Sequence, residues 1–455
     1  MCSSDLDPLA ARAALVGDAL LADPLPAIPS VDASGRRSMR AWLLVRMYTE
    51  PLGTVLVDLP RDGLTATELG SAIERELGPR IRHRAGEVGV RTTGPMGVDG
   101  IVPRRSVPYV DQRDRVLADA PHLTVVVCTR NQPVGLRRLL ESVQESVYPR
   151  YRILVVDNAP TDDRTERVAR EAGTRGDVSY VVEPRPGLSH ARNRALEETG
   201  TDIIAWTDDD AVVDRFWLAE IARAFTEHPE ADVMTGPIVP AELETRAQLW
   251  FEEFGGHSKG RGFDSFVFSP PYRQDPLYPL PPFGTGANMA WRAGVAESIG
   301  GFDPALGAGT PAKGSEDTLA FTQILRAGGT IVYHPGAVIR HYHRRDMEGL
   351  RDQMVGYGTG LTAAYASLVR SQPTILLNLA KLAPRALHDL YVGRNSGIGA
   401  DFPPELLQAN RRGMLRGPKA YFEGRRRNAA GSHGTGRWSR GEDDEVMSDR
   451  KGTAL

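Results

Sequence analysis

Ile203-Ile204-Ala205-Trp206-Thr207-Asp208-Asp209-Asp210 sets a short apolar run directly against three carboxylates. The run reads as a buried strand. Clustered acidic side chains at its end repel one another, so folding alone gives little reason for them to be there. Mg²⁺ and Mn²⁺ prefer hard oxygen ligands of this kind, usually shared with a substrate's phosphates. Aspartate is also an ordinary loop residue, so the triplet is weighed together with what surrounds it.

Upstream, the pattern of apolar run and polar end repeats three times. Strand-like 123–127 precedes a helical stretch at 133–145, whose apolar positions are Leu136, Leu139, Leu140 and Val143. Strand-like 151–156 is followed by a helix near 163–172, and strand-like 178–182 by a helix over 189–198. Apolar strands alternating with helices are the signature of βαβ units and a parallel sheet covered on both faces. The fold class expected is therefore α/β, with a Rossmann-like, mostly parallel sheet. In such sheets ligands collect beyond the carboxyl ends of the strands. Those ends carry Thr129-Arg130-Asn131, Asp157-Asn158, Glu183-Pro184-Arg185 and the Asp triplet, four polar clusters on one rim.

The bulk numbers set limits. A chain of 455 residues holds two or three domains, at least one with a large core. Hydrophobic residues at 41% and charged residues at 25% are ordinary for a soluble globular protein. A net charge of −3 gives no electrostatic case for a nucleic-acid partner. The two cysteines, Cys2 and Cys128, exclude a disulfide framework and a cysteine metal cluster. Cys128 sits in an apolar run and reads as a small buried hydrophobe. No apolar run of about 18 residues exists, and the acidic N-terminus lacks the apolar core of a secretory signal. A cytoplasmic setting is expected.

Around the central region the organisation changes. Residues 1–37, rich in Ala, Asp, Pro and Ser, read as a loose, flexible arm with at most one helix. Residues 38–118 form a small α/β accessory module and linker. Two strands joined across Pro51-Leu52-Gly53 are followed by Thr65-Ala66-Thr67-Glu68, a capping box that opens a helix. This module carries no recognisable chemistry and is expected to dock, orient or bind a partner. Residues 119–350 read as the central α/β domain and 351–424 as a C-terminal helical region, and 425–455 read as a disordered tail. The apolar helix at 375–383 is too short to span a bilayer. It either packs on the central domain or gives peripheral contact with the inner face of a membrane.

Single residues in these clusters have plain as well as chemical readings. Asp157 can accept a base N–H or a ribose hydroxyl, and it can equally cap the following turn. Gly187 and Ser189 allow a tight turn and a helix start, from which Arg192 can reach a phosphate. His341 and His343 point the same way if their segment is extended. They are then a metal-ligating pair, or surface-strand histidines that orient a carboxylate.

Seven blocks in order resemble family 2 glycosyltransferases. They are Val126-Val127-Cys128-Thr129-Arg130-Asn131, Val155-Val156-Asp157-Asn158, residues 186–193 (PGLSHARN), Trp206-Thr207-Asp208-Asp209-Asp210, residues 284–290 (GTGANMA), Gly300-Gly301-Phe302-Asp303 and Gly314-Ser315-Glu316-Asp317. The resemblance covers about residues 122–350 and implies a GT-A fold, with a nucleotide-binding half, an acceptor-binding half and a divalent cation, Mn²⁺ or Mg²⁺, between them. It implies Thr129, Arg130 and Asp157 at the nucleoside, Arg192 near the same pocket, and Asp208 on the ribose side. Either Thr207-x-Asp209 or Asp208-x-Asp210 can be laid on the family's D-x-D pattern, and Asp209 with Asp210 is the preferred metal side. Some members place a late histidine near the metal, which brings in His341 and His343.

Ser315 reads as an N-cap, and acidic residues in the first turn after it complement the helix dipole. By resemblance Asp317 is the general base and Glu316 an acceptor-binding neighbour. The implied reaction is a single inverting displacement from a nucleoside-diphosphate sugar, a UDP-sugar first, to a hydroxyl of a glycan, lipid-linked or small-molecule acceptor. A nucleotidyltransferase also suits paired aspartates on an α/β sheet, but no Gly-rich Lys/Arg loop follows the first strand. A degenerate sugar-nucleotide or glycan-binding module is the non-enzymatic reading, and it leaves Asp157, the triplet and Asp317 without a purpose.

Overall fold

A computed structural model describes residues 13–32, 35–92, 99–272, 275–277, 283–388 and 402–432. The N-terminal module is a three-stranded sheet in the order β1 (Ala14–Leu20), β2 (Arg40–Met47), β3 (Glu50–Asp58), with α1 (Ala66–Glu87) against it. The capping box is formed as expected. The Thr65 side chain accepts the Glu68 N–H, and Glu68 reaches back to the Thr65 N–H.

Two expectations are corrected in this module. The arm expected over 1–37 becomes a strand from Ala14, because β1 pairs in parallel with β2 along its whole length. That partner is tertiary and leaves no local signal. The hairpin turns at Tyr48-Thr49, where φ is 49° and 77°, while Pro51-Leu52-Gly53 lies inside β3. Left-handed residues at both turn positions match the twist of the flanking strands, a conformation usually signalled by Asn or Gly.

The module is docked rather than loose. Buried Arg46 reaches Asp214 at 2.7 Å, Arg340 reaches Asp18 at 2.8 Å, and Leu44 packs against Val239 and Val338. Helix α2 (Pro108–Ala118) then leads into the main domain.

There β4 (Leu123–Thr129), α3 (Pro133–Gln144), β5 (Tyr151–Asn158), α4 (Arg164–Gly173), β6 (Val178–Glu183), α5 (Leu188–Glu198) and β7 (Ile203–Asp208) alternate. Their strands are parallel, in the order β6-β5-β4-β7. The period of two explains why the sheet is covered twice. Leu123, Val125, Val127, Ile153, Val155, Ile203 and Ala205 enter one core, and Val126, Leu154, Val156, Ile204 and Trp206 the other. Each such side chain contributes roughly 1.5–3 kcal/mol of burial. This is the α/β, mostly parallel architecture expected.

Beyond β7 come β8 (Ala211–Val213), α6 (Trp217–Glu227), β9 (Val233–Thr235), β10 (Ile238–Pro240), α7 (Arg246–Glu253), β11 (Phe266–Phe268), β12 (Asn288–Arg292), α8 (Val295–Ser298), α9 (Glu316–Arg326), β13 (Ile331–Tyr333) and β14 (Ile339–His341). Antiparallel β12 joins β7, and β9, β13 and β11 follow, completing an eight-stranded sheet. A small sheet, β10-β14-β8, flanks its rim. Because β5 and β7 lie on opposite sides of β4, a crevice opens at the carboxyl ends of β4 and β7.

Three helices close the molecule: α10 (Met347–Ser371), α11 (Ile375–His388) and α12 (Pro404–Ser432). The disordered tail expected from 425 is corrected over 425–432, which continue α12, and 433–455 lie outside the described residues. The helix persists because it is anchored. Tyr421 is fully buried with its hydroxyl 3.2 Å from Asp303, and Asn428 meets His190 at 3.2 Å. No helix among the described residues is long and apolar enough to cross a membrane.

The contact between α10 and α12 is backbone on backbone. A Cβ on Gly358 would fall on the Asn410 carbonyl, one on Gly413 on the Val355 carbonyl, and one on Gly417 on Thr362 Oγ1. Gly417→Val is therefore expected to destabilise the protein by about 3 kcal/mol through overpacking. Gly86→Ala, at a helix position with no atom near the new methyl, should stabilise it by about 0.5–1 kcal/mol. Thermal denaturation of the two variants checks both signs.

Candidate active site

Strand β7 ends at Asp208 and β8 starts at Ala211, so Asp209 and Asp210 form the turn between them. The N-terminal turn of α3 sits hard on this turn, because a Cβ on Gly135 would fall on the Asp209 carbonyl oxygen. Strand β14 runs antiparallel to β8 and sets His341 opposite Ala211, while the Tyr342 N–H donates to the Asp210 carbonyl at 3.0 Å. That register brings His341 Nε2 to 3.0 Å from Asp210 Oδ1.

The three carboxylates diverge. Asp208, Asp210 and His341 each offer a ligand atom, and these lie within 4.8 Å of one another. Asp209 turns the other way, and its Oδ2 accepts a 2.6 Å bond from Thr129 Oγ1. The structure thus joins Asp208 to Asp210, where Asp209 with Asp210 was expected. Residues flanking a turn position share a side, and the middle one is claimed by Thr129. Burial and then Asp210 push Asp208 above its ordinary value. The same two causes push Asp209 up to about 7. Burial also works against Asp210, but the pull of His341 holds its carboxyl below the usual range.

Asp157, at the end of β5, is fully buried. Its Oδ2 accepts from the Tyr180 hydroxyl at 2.9 Å, and its Oδ1 has no hydrogen-bond partner among the described residues. A buried acceptor in this state asks for a donor from outside. Burial raises the Asp157 carboxyl above its ordinary value. Arg130 is exposed, beside the loop that carries Gly309.

Arg192, on the first turns of α5, is 3% exposed. Its Nη1 pairs with Glu316 Oε1 at 2.9 Å, and its Nη2 donates to the Gly286 carbonyl at 3.3 Å. The structure therefore sets Arg192 and Glu316 against each other, where a phosphate ligand and an open acceptor contact were expected. Ser315 holds the N-cap position of α9 with φ 66° and makes no side-chain cap bond. Asp317 takes the adjacent place. Its Oδ2 accepts the Gly286 N–H at 2.6 Å, and its Oδ1 accepts the Thr318 N–H at 2.6 Å. Gly286 makes this possible, since a Cβ there would meet Arg192 Nη2 at 2.7 Å and Asp317 Cβ at 3.0 Å.

Arg192, Asp208, Asp210, Glu316, Asp317 and His341 line one cleft of about 1490 Å³. Thr129, Arg130, Asp157, Asp209 and His343 are not part of its wall. Lys259, Arg261, Lys313 and Arg344 add positive charge to it, and Asn410 and Met414 of α12 contribute to one side.

Sequence reasoning missed two residues beside this cleft. His343 Nε2 is 2.8 Å from Glu252 Oε1 of α7, and His257 packs its ring 4.4 Å from His341. Burial, then His341 and His343, push His257 well below its ordinary value. Burial also lowers His343. Neither His257 nor Glu252 carries a local motif. Only the packing of the α7–β11 connection onto β14 brings them in.

Residues 124–300 match the sequence profile described as Glycosyl transferase family 2. A glucosyl-dolichyl phosphate glucuronosyltransferase of Haloferax volcanii is 23% identical over 229 residues, 48% of this chain and 68% of that protein. A pre-mycofactocin glycosyltransferase of Mycobacterium tuberculosis is 25% identical over 244 residues, 52% of this chain and 46% of that protein. The succinoglycan biosynthesis protein ExoM of Rhizobium meliloti is 30% identical over 226 residues, 48% of this chain and 65% of that protein. The chain thus spans between about half and two thirds of the length of these relatives. Among solved structures, the mannosyltransferase PcManGT of Pyrobaculum calidifontis in complex with GDP-Man and Mn²⁺ aligns with a TM-score of 0.40 and 20% identity, covering 72% of this chain and 83% of that one.

The buried Asp209 carboxyl generates a pH dependence with a definite sign. Its value rises from 3.8 to about 7 on folding, so between these limits the folded chain holds a proton that the unfolded chain has lost. The stability this proton confers is present at low pH and disappears as pH rises through 7. In EDTA, Asp209→Asn should match the parent near pH 4 and exceed it at pH 8 by at most about 4 kcal/mol. Urea unfolding at both pH values measures the difference.

Proposed function

Residues 124–300 belong to glycosyl transferase family 2, and from that premise we propose that the chain is an inverting, cation-assisted transferase. It moves a sugar from a nucleoside-diphosphate sugar to an acceptor hydroxyl. The observation that carries this reading is one cleft onto which the Asp208–Asp210–His341 group and the Asp317 carboxylate both open.

The donor's nucleoside is read by the unpartnered Asp157 Oδ1, with Tyr180 fixing the other oxygen. Thr129 acts indirectly, by holding Asp209 out of the group. Asp208 and Asp210 suit a divalent cation, since they supply hard oxygen donors and the burial and mutual repulsion that raise Asp208 are relieved by positive charge. Bound there, Mn²⁺ or Mg²⁺ would neutralise the charge growing on the departing diphosphate. His341 orients Asp210 for this task.

Asp317 serves as general base. Backbone N–H groups of Gly286 and Thr318 fix its carboxylate at the start of α9. As the acceptor oxygen bonds to the anomeric carbon, its proton passes to Asp317 and the bond to the diphosphate breaks with its electron pair. One displacement inverts the anomeric configuration. The Arg192–Glu316 pair leaves the cleft floor with a fixed guanidinium and keeps the Gly286 carbonyl in place behind the base.

Calorimetric titration of UDP, GDP and dTDP, each with Mn²⁺ and with EDTA, tests the donor site. We expect metal-dependent binding of one nucleotide, UDP first, that is lost in Asp208→Ala and in Asp210→Ala. Binding of none with metal present would return the chain to a catalytically degenerate module. Asp317→Asn should bind the same nucleotide with unchanged affinity and lower kcat by about 10²–10⁴-fold. The product's anomeric proton coupling reports inversion.

A further inference from the structure

Behind the acid turn, the rings of His257, His341 and His343 face one another. Each offers a ligand-capable atom within 4.8 Å of the other two. Their ring centroids stand 4.4 Å, 5.6 Å and 5.7 Å apart. Three imidazoles around a tetrahedral ion at a metal–nitrogen distance of about 2.0 Å have centroids roughly 5 Å apart. The spacing is that of rings sharing an ion.

The hydrogen bonds supply a second, independent observation. Nε2 of His341 meets Asp210 at 3.0 Å, and Nε2 of His343 meets Glu252 at 2.8 Å. A carboxylate only accepts, so both Nε2 atoms carry protons, and Nδ1 is the atom each ring has left for another partner. Both Nδ1 atoms, and Nε2 of His257, are buried and have no hydrogen-bond partner among the described residues. Three orphaned ring nitrogens in one place are costly. A histidine that donates its far N–H to a carboxylate is also the usual outer arrangement of a metal ligand, which sets ring orientation and tautomer.

We propose that His257, His341 and His343 bind a nitrogen-preferring transition-metal ion, of which Zn²⁺ is the expected class, at a site separate from the Asp208–Asp210 cation. An all-imidazole set discriminates against Mg²⁺ and Ca²⁺, which take oxygen ligands. The ion ties the connection after α7, which carries His257, to the end of β14, and so fixes one wall of the cleft against the acid turn. This site does not depend on the glycosyl-transfer reading.

The test uses the full chain stripped with EDTA and titrated with Co²⁺ as a visible stand-in for Zn²⁺. One equivalent with the intense absorption of tetrahedral coordination is expected, displaced by Zn²⁺ and not by excess Mg²⁺. The band should be lost in His257→Asn and in His343→Gln, whose folding is checked by circular dichroism, and retained in Asp208→Asn. Conversely, Mn²⁺-dependent nucleotide binding should be lost in Asp208→Asn while its Co²⁺ band remains. A weak octahedral spectrum alone overturns the proposal. So does a tetrahedral band that survives in both folded histidine variants. Failure of nucleotide binding with the Co²⁺ band intact would instead count against the donor site.

Discussion

Three carboxylates at the end of one strand repel one another, and the surroundings of this turn can be understood as separate answers to that repulsion. Asp209 is bent back onto Thr129 at the end of β4. Asp210 is matched with His341, which the β8–β14 register delivers. Asp208 keeps only the more distant pull of Arg192 and His341 against its burial and its neighbours. Asp208, the group with the least compensation, faces the cleft together with Asp210.

The second constraint is the buried ion pair of Arg192 with Glu316. Each member is nearly inaccessible to water. A pair of this kind contributes little net stability, but removing one partner strands the other charge in a poor dielectric. Its value lies in position. Arg192 also binds the Gly286 carbonyl while the Gly286 N–H holds Asp317, so this one glycine ties α5 to the start of α9. The packing of α10 on α12 reaches the same region from outside, because Asn410 and Met414 line the cleft next to glycines that admit close backbone approach.

Much of this was legible in the sequence, for physical reasons. The four parallel strands announce themselves because a sheet buried on both faces needs uninterrupted Val, Ile and Ala. Polar residues at their ends stand out against that background. What stayed hidden depends on geometry with no local imprint. Whether Asp208 or Asp209 faces Asp210 is decided by a turn and by the Thr129 hydroxyl. Strand β1 exists because β2 offers it an edge, and the Tyr48-Thr49 turn adopts a backbone its residue types do not advertise. His257 lies in a stretch without periodicity and acquires meaning only when that stretch folds over β14. The helix over 425–432 follows from contacts of Tyr421 with Asp303 and of Asn428 with His190, where the sequence suggested a disordered tail.

The polarity of the cleft bears on why a cation belongs to it. Asp208, Asp210, Asp317, Lys259, Arg261, Lys313 and Arg344 all open onto it. On the proposed reading, a diphosphate drawn in by the basic residues brings its own negative oxygens toward two carboxylates. At about 4 Å each such pairing costs on the order of 4 kcal/mol at an effective dielectric of 20. On that reading, an ion held by Asp208 and Asp210 would remove that term and help to fix the leaving group. The acid turn would then make donor binding depend on the metal.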